Sequence, residues 1–315
     1  MRTSSVISTT CNLRSPVRFF LLAFMLAGLF FNQVQANTET TATSNVFVSS
    51  DWVGKNQDKL VLIDLSSQQA YQKYHLPNAL WVNYDWLIRP QNGLALSGGP
   101  KYMAMVLSQL GIKPEDHIVL YDDIGNLNAS RLYWELKKIN HAQVNMMDGG
   151  IVDWILQGKP VTQSIPKRLP ISHYPIPEQD STDRLTADKK EIQAAIENAN
   201  IALLDARSEP EYIGDRKQKR TGHIPTAVWF DWSQALDVNN GYKQASQESL
   251  LKQLNTLGIS TKQQPIIVYC NSGHRASRSM AMLESLGYTN VKLYDGSMQE
   301  YGIDKSLPLT VGKTP

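Results

Sequence analysis

The chain has 315 residues, of which 42% are apolar and 19% are charged, and its formal net charge at pH 7 is +2. This length allows two domains of ordinary size, and the apolar content is enough for packed cores. The nearly balanced charge argues against nucleic acid and anionic lipid as partners, because both bind through a surplus of Lys and Arg.

The first 36 residues are typical of a secretory signal peptide. Arg14 and Arg18 precede an apolar run of 13 residues, Phe19 to Phe31, and Ala36 is a small residue suited to cleavage. Thirteen residues are too few to span a bilayer, which needs about 20, although an uncleaved anchor is the alternative interpretation. We therefore expect a periplasmic or secreted protein without stable membrane association after cleavage. Cleavage would leave 28 basic against 29 acidic side chains.

Cleavage would also remove Cys11, so that Cys270 would be the one cysteine of the mature chain. Cysteines of exported proteins usually pair in disulfides. A single cysteine indicates a reactive thiol, pairing between molecules, or a buried inert residue. The residues around Cys270 favour the reactive thiol.

Short motifs recur in the same order at offsets of 141 to 148 residues, which indicates a tandem duplication of one domain. The equivalent segments are Val61–Asp64 and Leu203–Asp205, His75–Ala79 and His223–Ala227, Asn83–Trp86 and Trp229–Trp232, Ile118–Asp122 and Ile267–Cys270, Ala129–Arg131 and Ala276–Arg278, and Asp148–Gly150 and Asp295–Ser297. We expect the repeated His75 and His223 to stabilise turns.

Each half alternates apolar runs with helical patterns, which predicts an α/β fold with a parallel sheet flanked by helices. We assign residues 37–161 to the first domain, 162–187 to a linker rich in Pro, and 188–315 to the second domain. In chain order, the predicted elements are the strand Leu60–Ile63, the helix Tyr102–Leu110, the strand His117–Tyr121, the helix Ser130–Ile139, the strand Ile201–Leu204, the helix Glu248–Leu257, the strand Pro265–Tyr269 and the helix Ala276–Leu286.

Cys270 directly follows a predicted strand and precedes a helix that begins near Ala276. Ligands of open parallel sheets bind at the carboxyl ends of the strands. A tight turn into a helix points backbone N–H groups at a bound anion, and the helix N-terminus adds positive potential. Such a turn stabilises a thiolate, the nucleophilic form of cysteine. Gly273 gives the turn room, Arg275 adds a permanent positive charge, and His274 adds one that depends on pH.

Together with Asp205–Arg207, Gly222–Pro225 and Tyr294–Ser297, the segment around Cys270 resembles the rhodanese family, specifically the tandem thiosulfate/3-mercaptopyruvate sulfurtransferases. The resemblance covers nearly the whole mature chain and implies two tandem rhodanese-like domains. It implies that the second domain is catalytic and that the first, with Asp122 at the cysteine position, is an inactive scaffold that forms one wall of the cleft.

The resemblance also implies an activity. Cys270 would take sulfane sulfur from a small anionic donor, thiosulfate or 3-mercaptopyruvate, as a persulfide. It would then pass the sulfur to a thiol or to cyanide. No metal or organic cofactor is implied, and no cluster of metal ligands is visible in the sequence.

The resemblance assigns substrate binding to Arg216, to Asp85 and to the loop residues Asn271, Ser272, Gly273, His274 and Arg275. The chain departs from the family pattern at Glu211, where an arginine is usual, and in the neutral pair Asn271 and Ser272, where thiosulfate enzymes carry cations. Mercaptopyruvate enzymes are similar at Ser272 and Gly273 but differ at the next two positions. We expect Arg275 to supply the anion-binding charge that Glu211 cannot supply.

Two other functions are left open by the sequence. The protein could be a sulfur carrier that a partner protein loads at Cys270. It could also be a phosphatase or arsenate reductase, since some phosphatases share the rhodanese fold. The second alternative is less favoured, because phosphatases place five residues between Cys and Arg, whereas four residues separate Cys270 from Arg275.

Overall fold

The computed structural model describes residues 46–167, 169–171, 173–175, 183–215 and 220–315, and these residues lie in one compact unit. The predicted signal peptide, residues 1–36, and the predicted substrate ligand Arg216 lie outside the described residues. Within the described ranges, no helix combines the length and the apolar character that a membrane span requires.

Strands and helices alternate through both halves of the chain. The strands are β1 (Phe47–Val48), β2 (Leu60–Asp64), β3 (Leu80–Trp81), β4 (Ile88–Gln91), β5 (Leu94–Ser97), β6 (His117–Tyr121), β7 (Gln143–Met147), β8 (Thr186–Ala187), β9 (Ala202–Asp205), β10 (Val228–Trp229), β11 (Leu236–Asp237), β12 (Lys243–Gln244), β13 (Ile266–Tyr269) and β14 (Val291–Tyr294). The helices are α1 (Ser50–Asn56), α2 (Gln68–Lys73), α3 (Gly99–Gln109), α4 (Leu127–Lys138), α5 (Gly150–Leu156), α6 (Lys189–Ile196), α7 (Glu209–Ile213), α8 (Gln247–Thr256), α9 (His274–Ser285) and α10 (Ser297–Tyr301).

Two parallel five-stranded sheets form the two domains, and each domain adds an antiparallel hairpin. The first sheet has the order β1-β7-β6-β2-β3, and the second has the order β8-β14-β13-β9-β10. The two orders are the same when each strand of the first half is replaced by its counterpart in the second half. The hairpins are β4–β5 and β11–β12. The predicted fold, two parallel sheets flanked by helices, is confirmed, whereas the exact domain boundaries stay predictions.

Each sheet has an apolar cluster on both faces, because alternate residues of a strand point to opposite sides. In β2, Ile63 belongs to one buried cluster and Leu62 to the cluster on the other face. In β9, Leu204 and Leu203 divide between two clusters in the same way. This double burial explains why the strands read as continuous apolar runs in the sequence.

The helices α4 and α9, which follow the equivalent strands β6 and β13, pack against each other between the domains. Trp134 of α4 is buried in a core cluster of the second domain, and Ala281 of α9 is buried in a core cluster of the first. The two strand-to-helix loops that begin at Asp122 and at Cys270 are therefore both adjacent to the interface between the domains.

The repeated histidines stabilise turns, as the sequence predicted. The Nδ1 atom of His75 lies 2.7 Å from the carbonyl oxygen of Tyr71, and its ring stacks on the ring of the same tyrosine. In the second domain, His223 makes the same two contacts with Tyr212, with a distance of 2.8 Å from Nδ1 to the carbonyl oxygen.

The pairing of the strands corrects one of the predicted repeats. β3 pairs with β2 in the same register as β10 with β9, so Trp81 and Trp229 are equivalent positions, 148 residues apart. The pairing of Asn83–Trp86 with Trp229–Trp232 assumed an offset of 146 and is wrong by two residues. Both segments are rich in aromatic residues, and a comparison of residue types does not detect strand pairing.

The described part of the predicted linker, residues 162–187, is packed on the domains at both ends. Thr162 forms a β-bridge with His75, and Tyr174 is buried in a core cluster of the first domain. The last two residues of the segment form β8, the edge strand of the second sheet. The second sheet thus begins two residues before the predicted boundary.

Candidate active site

Cys270 directly follows β13, and it is buried, with 1% of its surface exposed. The turn that follows reaches α9 through Gly273, which has a φ of +76°. A Cβ atom on Gly273 would lie 2.6 Å from both Nη1 of Arg131 and Oδ1 of Asp295. Glycine is therefore required for two reasons. The backbone has a left-handed conformation, and two charged groups occupy the space that a Cβ atom would need.

A serine that follows the neighbouring strand holds this turn in place. The Oγ atom of Ser297 accepts the N–H groups of Cys270 and Gly273, each at 3.2 Å, and donates to the carbonyl oxygen of Tyr294 at 2.7 Å. The next amide, from Met298, donates to the carbonyl oxygen of Cys270 at 3.2 Å. Sequence analysis noted Ser297 as part of a repeat and missed this role, although its place after β14 was a signal.

The first turn of α9 presents free amides beside the cysteine. The N–H groups of His274, Arg275 and Ala276 are the first three of the helix, so they have no acceptor within it. Such groups favour an anion, both by hydrogen bonding and by the field of the helix.

The equivalent turn of the first domain contains an anion of its own. The carboxylate of Asp122 accepts the N–H groups of Ile124 at 2.9 Å, Asn126 at 2.7 Å, Asn128 at 2.7 Å and Ala129 at 3.0 Å. Burial raises the pKa of Asp122, and the four N–H groups oppose that shift. A turn of this kind in this protein therefore binds a negative group through its backbone.

His274 lies against the first domain and is not the cation that the sequence suggested. Its Nε2 atom is 2.8 Å from Oδ1 of Asn128, an acceptor, so Nε2 carries the proton, and its ring centre is 4.3 Å from that of Tyr84. Burial, with smaller contributions from Arg131 and Arg275, lowers the pKa of His274 to about 4. The imidazole is therefore neutral at physiological pH.

Arg275 is close to Cys270, but its charge is paired. Its Nη1 atom lies 2.6 Å from Oε2 of Glu211, and its Nη2 atom lies 2.9 Å from Oε1. The hydrogen bond from Arg275 lowers the pKa of Glu211 to about 2, although burial opposes this. The same bond raises the pKa of Arg275, and the neighbouring Cys270 adds to that shift.

The other predicted substrate ligands differ in their burial and in their position relative to the turn. Ser272 is half-buried in the turn, and Asn271 is exposed, with its carbonyl oxygen accepting the N–H group of Gln299 at 2.9 Å. Asp85 is exposed in a 3₁₀ turn of the first domain, directly after Tyr84. The structure therefore brings residues 270–275 together and places Asp85 beside a residue that contacts them.

Three first-domain residues at this site were missed by sequence analysis: Tyr84, Asn128 and Arg131. Tyr84 and Asn128 contact His274, as described above. Arg131 is fully buried and forms an ion pair with Asp295 of the second domain at 2.6 Å. The prediction that the first domain forms a wall of the site gains support from these contacts.

Among the described residues, no group of three or more His, Cys, Asp or Glu side chains could hold a metal ion. The chemistry that this arrangement offers is nucleophilic. A thiol lies at the end of a strand, next to free helix amides and a paired arginine.

The sequence matches the Rhodanese-like domain family over residues 49–157 and 188–304. A relative from Mycobacterium tuberculosis is 33% identical over 285 residues, which cover 86% of this chain and 99% of the relative. The thiosulfate sulfurtransferase of Pseudomonas aeruginosa is 30% identical over 80% of this chain and 92% of its own. The sulfur carrier protein TtuD of Thermus thermophilus is 31% identical over 86% of this chain and 99% of its own.

Among solved structures, the anaerobic ergothioneine biosynthesis enzyme of Chlorobium limicola, in complex with trimethyl histidine, has a TM-score of 0.77 to this chain. The likeness covers 86% of this chain and 71% of the other at 19% identity, so it concerns the fold. With the family matched over most of its length and a buried cysteine at the end of the central strand of its second sheet, this chain belongs to the rhodanese-like family and contains two copies of the domain.

Proposed function

We propose that this protein is a sulfurtransferase that carries sulfane sulfur as a persulfide on Cys270, from thiosulfate or 3-mercaptopyruvate to a thiol or cyanide. The relatives named thiosulfate sulfurtransferase and sulfur carrier protein support a role in sulfur transfer. One observation carries the proposal for this chain. The turn equivalent to that of Cys270 binds the Asp122 carboxylate through four N–H groups, and a persulfide is also an anion at the end of a short side chain.

The first step is attack of the Cys270 thiolate on the donor sulfur, which is the outer sulfur of thiosulfate or the thiol sulfur of 3-mercaptopyruvate. With thiosulfate, the S–S bond breaks and sulfite leaves with its electron pair. With 3-mercaptopyruvate, the C–S bond breaks and the enolate of pyruvate leaves, then takes up a proton. The free amides of Arg275 and Ala276 stabilise the anionic persulfide, because fixed dipoles need no reorganisation when the charge develops. An acceptor thiol or cyanide then attacks the outer sulfur and restores the thiolate.

The first domain takes no sulfur in this proposal. A carboxylate cannot hold a sulfane sulfur, and the Asp122 side chain already accepts the hydrogen bonds of the amides in its own turn. The first domain instead orients the catalytic turn. Asn128 and Tyr84 contact His274, and Arg131 contacts Asp295 beside Gly273.

The second candidate is a sulfur carrier that is loaded by a partner protein. The relative named as a sulfur carrier favours it, and so does the pairing of Arg275 with Glu211, since that pairing weakens the attraction for a small free anion. The phosphatase alternative is disfavoured by the short turn, in which four residues separate Cys270 from Arg275.

The proposed location is the periplasm or the extracellular space, and the pattern of residues 1–36 supports it. A single reactive thiol in an oxidising compartment is at risk of mixed disulfides and of oxidation. The near-complete burial of Cys270 would protect it.

The test is the intact mass of the purified mature protein, without residues 1–36, before and after incubation with thiosulfate and then with 3-mercaptopyruvate, alongside Cys270→Ser. We expect the native chain to gain the mass of one sulfur atom with at least one donor, and the variant to gain none. If neither donor adds mass to the native chain, the carrier function replaces the enzymatic one. A gain in the Cys270→Ser variant would contradict both.

A further inference from the structure

Two arginines beside the cysteine turn form ion pairs with carboxylates. Arg131 pairs with Asp295 at 2.6 Å, and Arg275 pairs with Glu211 at 2.6 Å. Each of these guanidinium groups is balanced by at least one carboxylate, since Arg131 also lies 3.5 Å from Glu135. The positive charge that Arg131 and Arg275 offer to an anion at this site is therefore largely cancelled by their carboxylate partners.

Hydrogen bonds from Ser208 hold the carboxylate of Glu211 in its position beside Arg275. Oε2 of Glu211 accepts the backbone N–H group of Ser208 at 3.1 Å and its hydroxyl at 2.7 Å. Ser208 is the N-cap of α7, and the two residues form a capping box. Glu211 cannot turn away from Arg275 without breaking the cap of its own helix. Its pKa of about 2 also keeps it ionised through the physiological range.

The position of this carboxylate affects donors according to their charge. An anion held by the amides of α9 is attracted by Arg275 and repelled by Glu211, and both energies scale with the charge on the anion. Thiosulfate carries two negative charges, and 3-mercaptopyruvate carries one on its carboxylate. Glu211 cancels most of the attraction that Arg275 exerts on each additional negative charge. The free-energy cost of removing water from the anion, by contrast, grows steeply with its charge.

We infer that Glu211 is a specificity-determining residue, which neutralises Arg275 and thereby selects singly charged sulfur donors over doubly charged ones. The inference rests on the proposed function, because it concerns the donor that loads Cys270. It names 3-mercaptopyruvate, or another donor with one negative charge, as the substrate class and sets thiosulfate aside.

The kinetic test compares the native chain with Glu211→Gln. Glutamine retains an oxygen that can accept from Ser208 and from Arg275, so α7 keeps its cap while the charge is removed. We expect the ratio of kcat/KM for thiosulfate to kcat/KM for 3-mercaptopyruvate to rise by roughly ten-fold in the variant, mainly through the KM for thiosulfate. The matched control is Glu209→Gln in the same helix, whose carboxylate pairs with Lys313 at 2.7 Å. It should leave the ratio unchanged.

A second measurement does not require turnover. Sulfate and pyruvate serve as unreactive anions with two charges and one charge, and each is tested for protection of Cys270 against alkylation by iodoacetamide, followed by intact mass. We expect Glu211→Gln to improve protection by sulfate relative to pyruvate by roughly ten-fold. An unchanged ratio of protection in the variant overturns the inference. If neither donor loads the native chain, the proposed function fails, and the ratio of protection still decides whether Glu211 selects anions by charge.

Discussion

Arg131 of the first domain and Asp295 of the second form a buried ion pair at 2.6 Å, and both contact the space where a side chain on Gly273 would be. The other carboxylate oxygen of Asp295 accepts the backbone N–H group of Ser97, also from the first domain, at 2.7 Å. The turn after Cys270 is thus fixed at a point where both domains meet, and we expect loss of this pair to affect stability and the candidate site together.

Asp295→Asn should lower the free energy of unfolding by about 3 kcal/mol, because it leaves the buried guanidinium of Arg131 without its main partner. The amide oxygen of asparagine can still accept from Ser97. Asp148→Asn is the control, since Asp148 is the equivalent residue and accepts the N–H group of Gln244 at 2.8 Å. Urea unfolding measures both variants. Equal losses in the two would contradict the role assigned to the ion pair.

Ser297→Ala should slow the loading of Cys270 by roughly ten-fold. The change removes the acceptor of two buried N–H groups, those of Cys270 and Gly273, and costs about 1–3 kcal/mol at the turn. The rate of mass gain with the better donor measures the effect. Ser277→Ala is the matched control, because the hydroxyl of Ser277 donates to the carbonyl oxygen of His274 within α9. A comparable slowing in the control would show that the effect is not specific to the turn.

Asp122→Asn should destabilise the first domain by about 2 kcal/mol. Its amide nitrogen would face buried N–H groups that now donate to a carboxylate oxygen. Relief of the buried charge, which raises the pKa of Asp122, offsets part of this loss. Asp123→Asn, at the next and less buried position, should change stability by less than about 0.5 kcal/mol. An Asp122→Asn protein as stable as the native one would refute the assignment of the turn as an anion site.

His274 should make the native fold less stable as the pH falls from about 6.5 to about 4. Its folded pKa of about 4 lies below the ordinary value near 6.5, so the unfolded chain binds the proton first and is favoured by acid. The loss should reach up to about 3 kcal/mol. The positive charges of Arg131 and Arg275 also lower the pKa of His274 and so oppose its protonation.

The measurement is urea unfolding at several pH values for the native chain and His274→Gln. The variant should lack this part of the pH dependence, while the effect of His141, whose pKa burial also lowers, remains in both. Parallel curves for the two proteins would mean that His274 titrates alike in the folded and unfolded chains.

The fold was largely predictable because its signals are local. Buried parallel strands read as apolar runs, and the predicted His117–Tyr121 agrees with β6 residue for residue. The turn after β13 was also predictable, since a cysteine, a glycine and a helix start occur within a few residues. The alignment of Asn83–Trp86 failed because it depended on strand pairing, which is not a local property.

The sequence by itself determined the duplication and the class of fold, and it predicted Cys270, directly after a strand, as the nucleophile. Only the tertiary structure decided which ionisable side chains at the site carry an unpaired charge. His274 meets Asn128 across 146 residues, Arg131 meets Asp295 across 164, and Arg275 meets Glu211 across 64. Whether a side chain is a free cation, a paired cation or a neutral ring depends on its burial and on its partner, and in this protein both are set by the packing of distant segments.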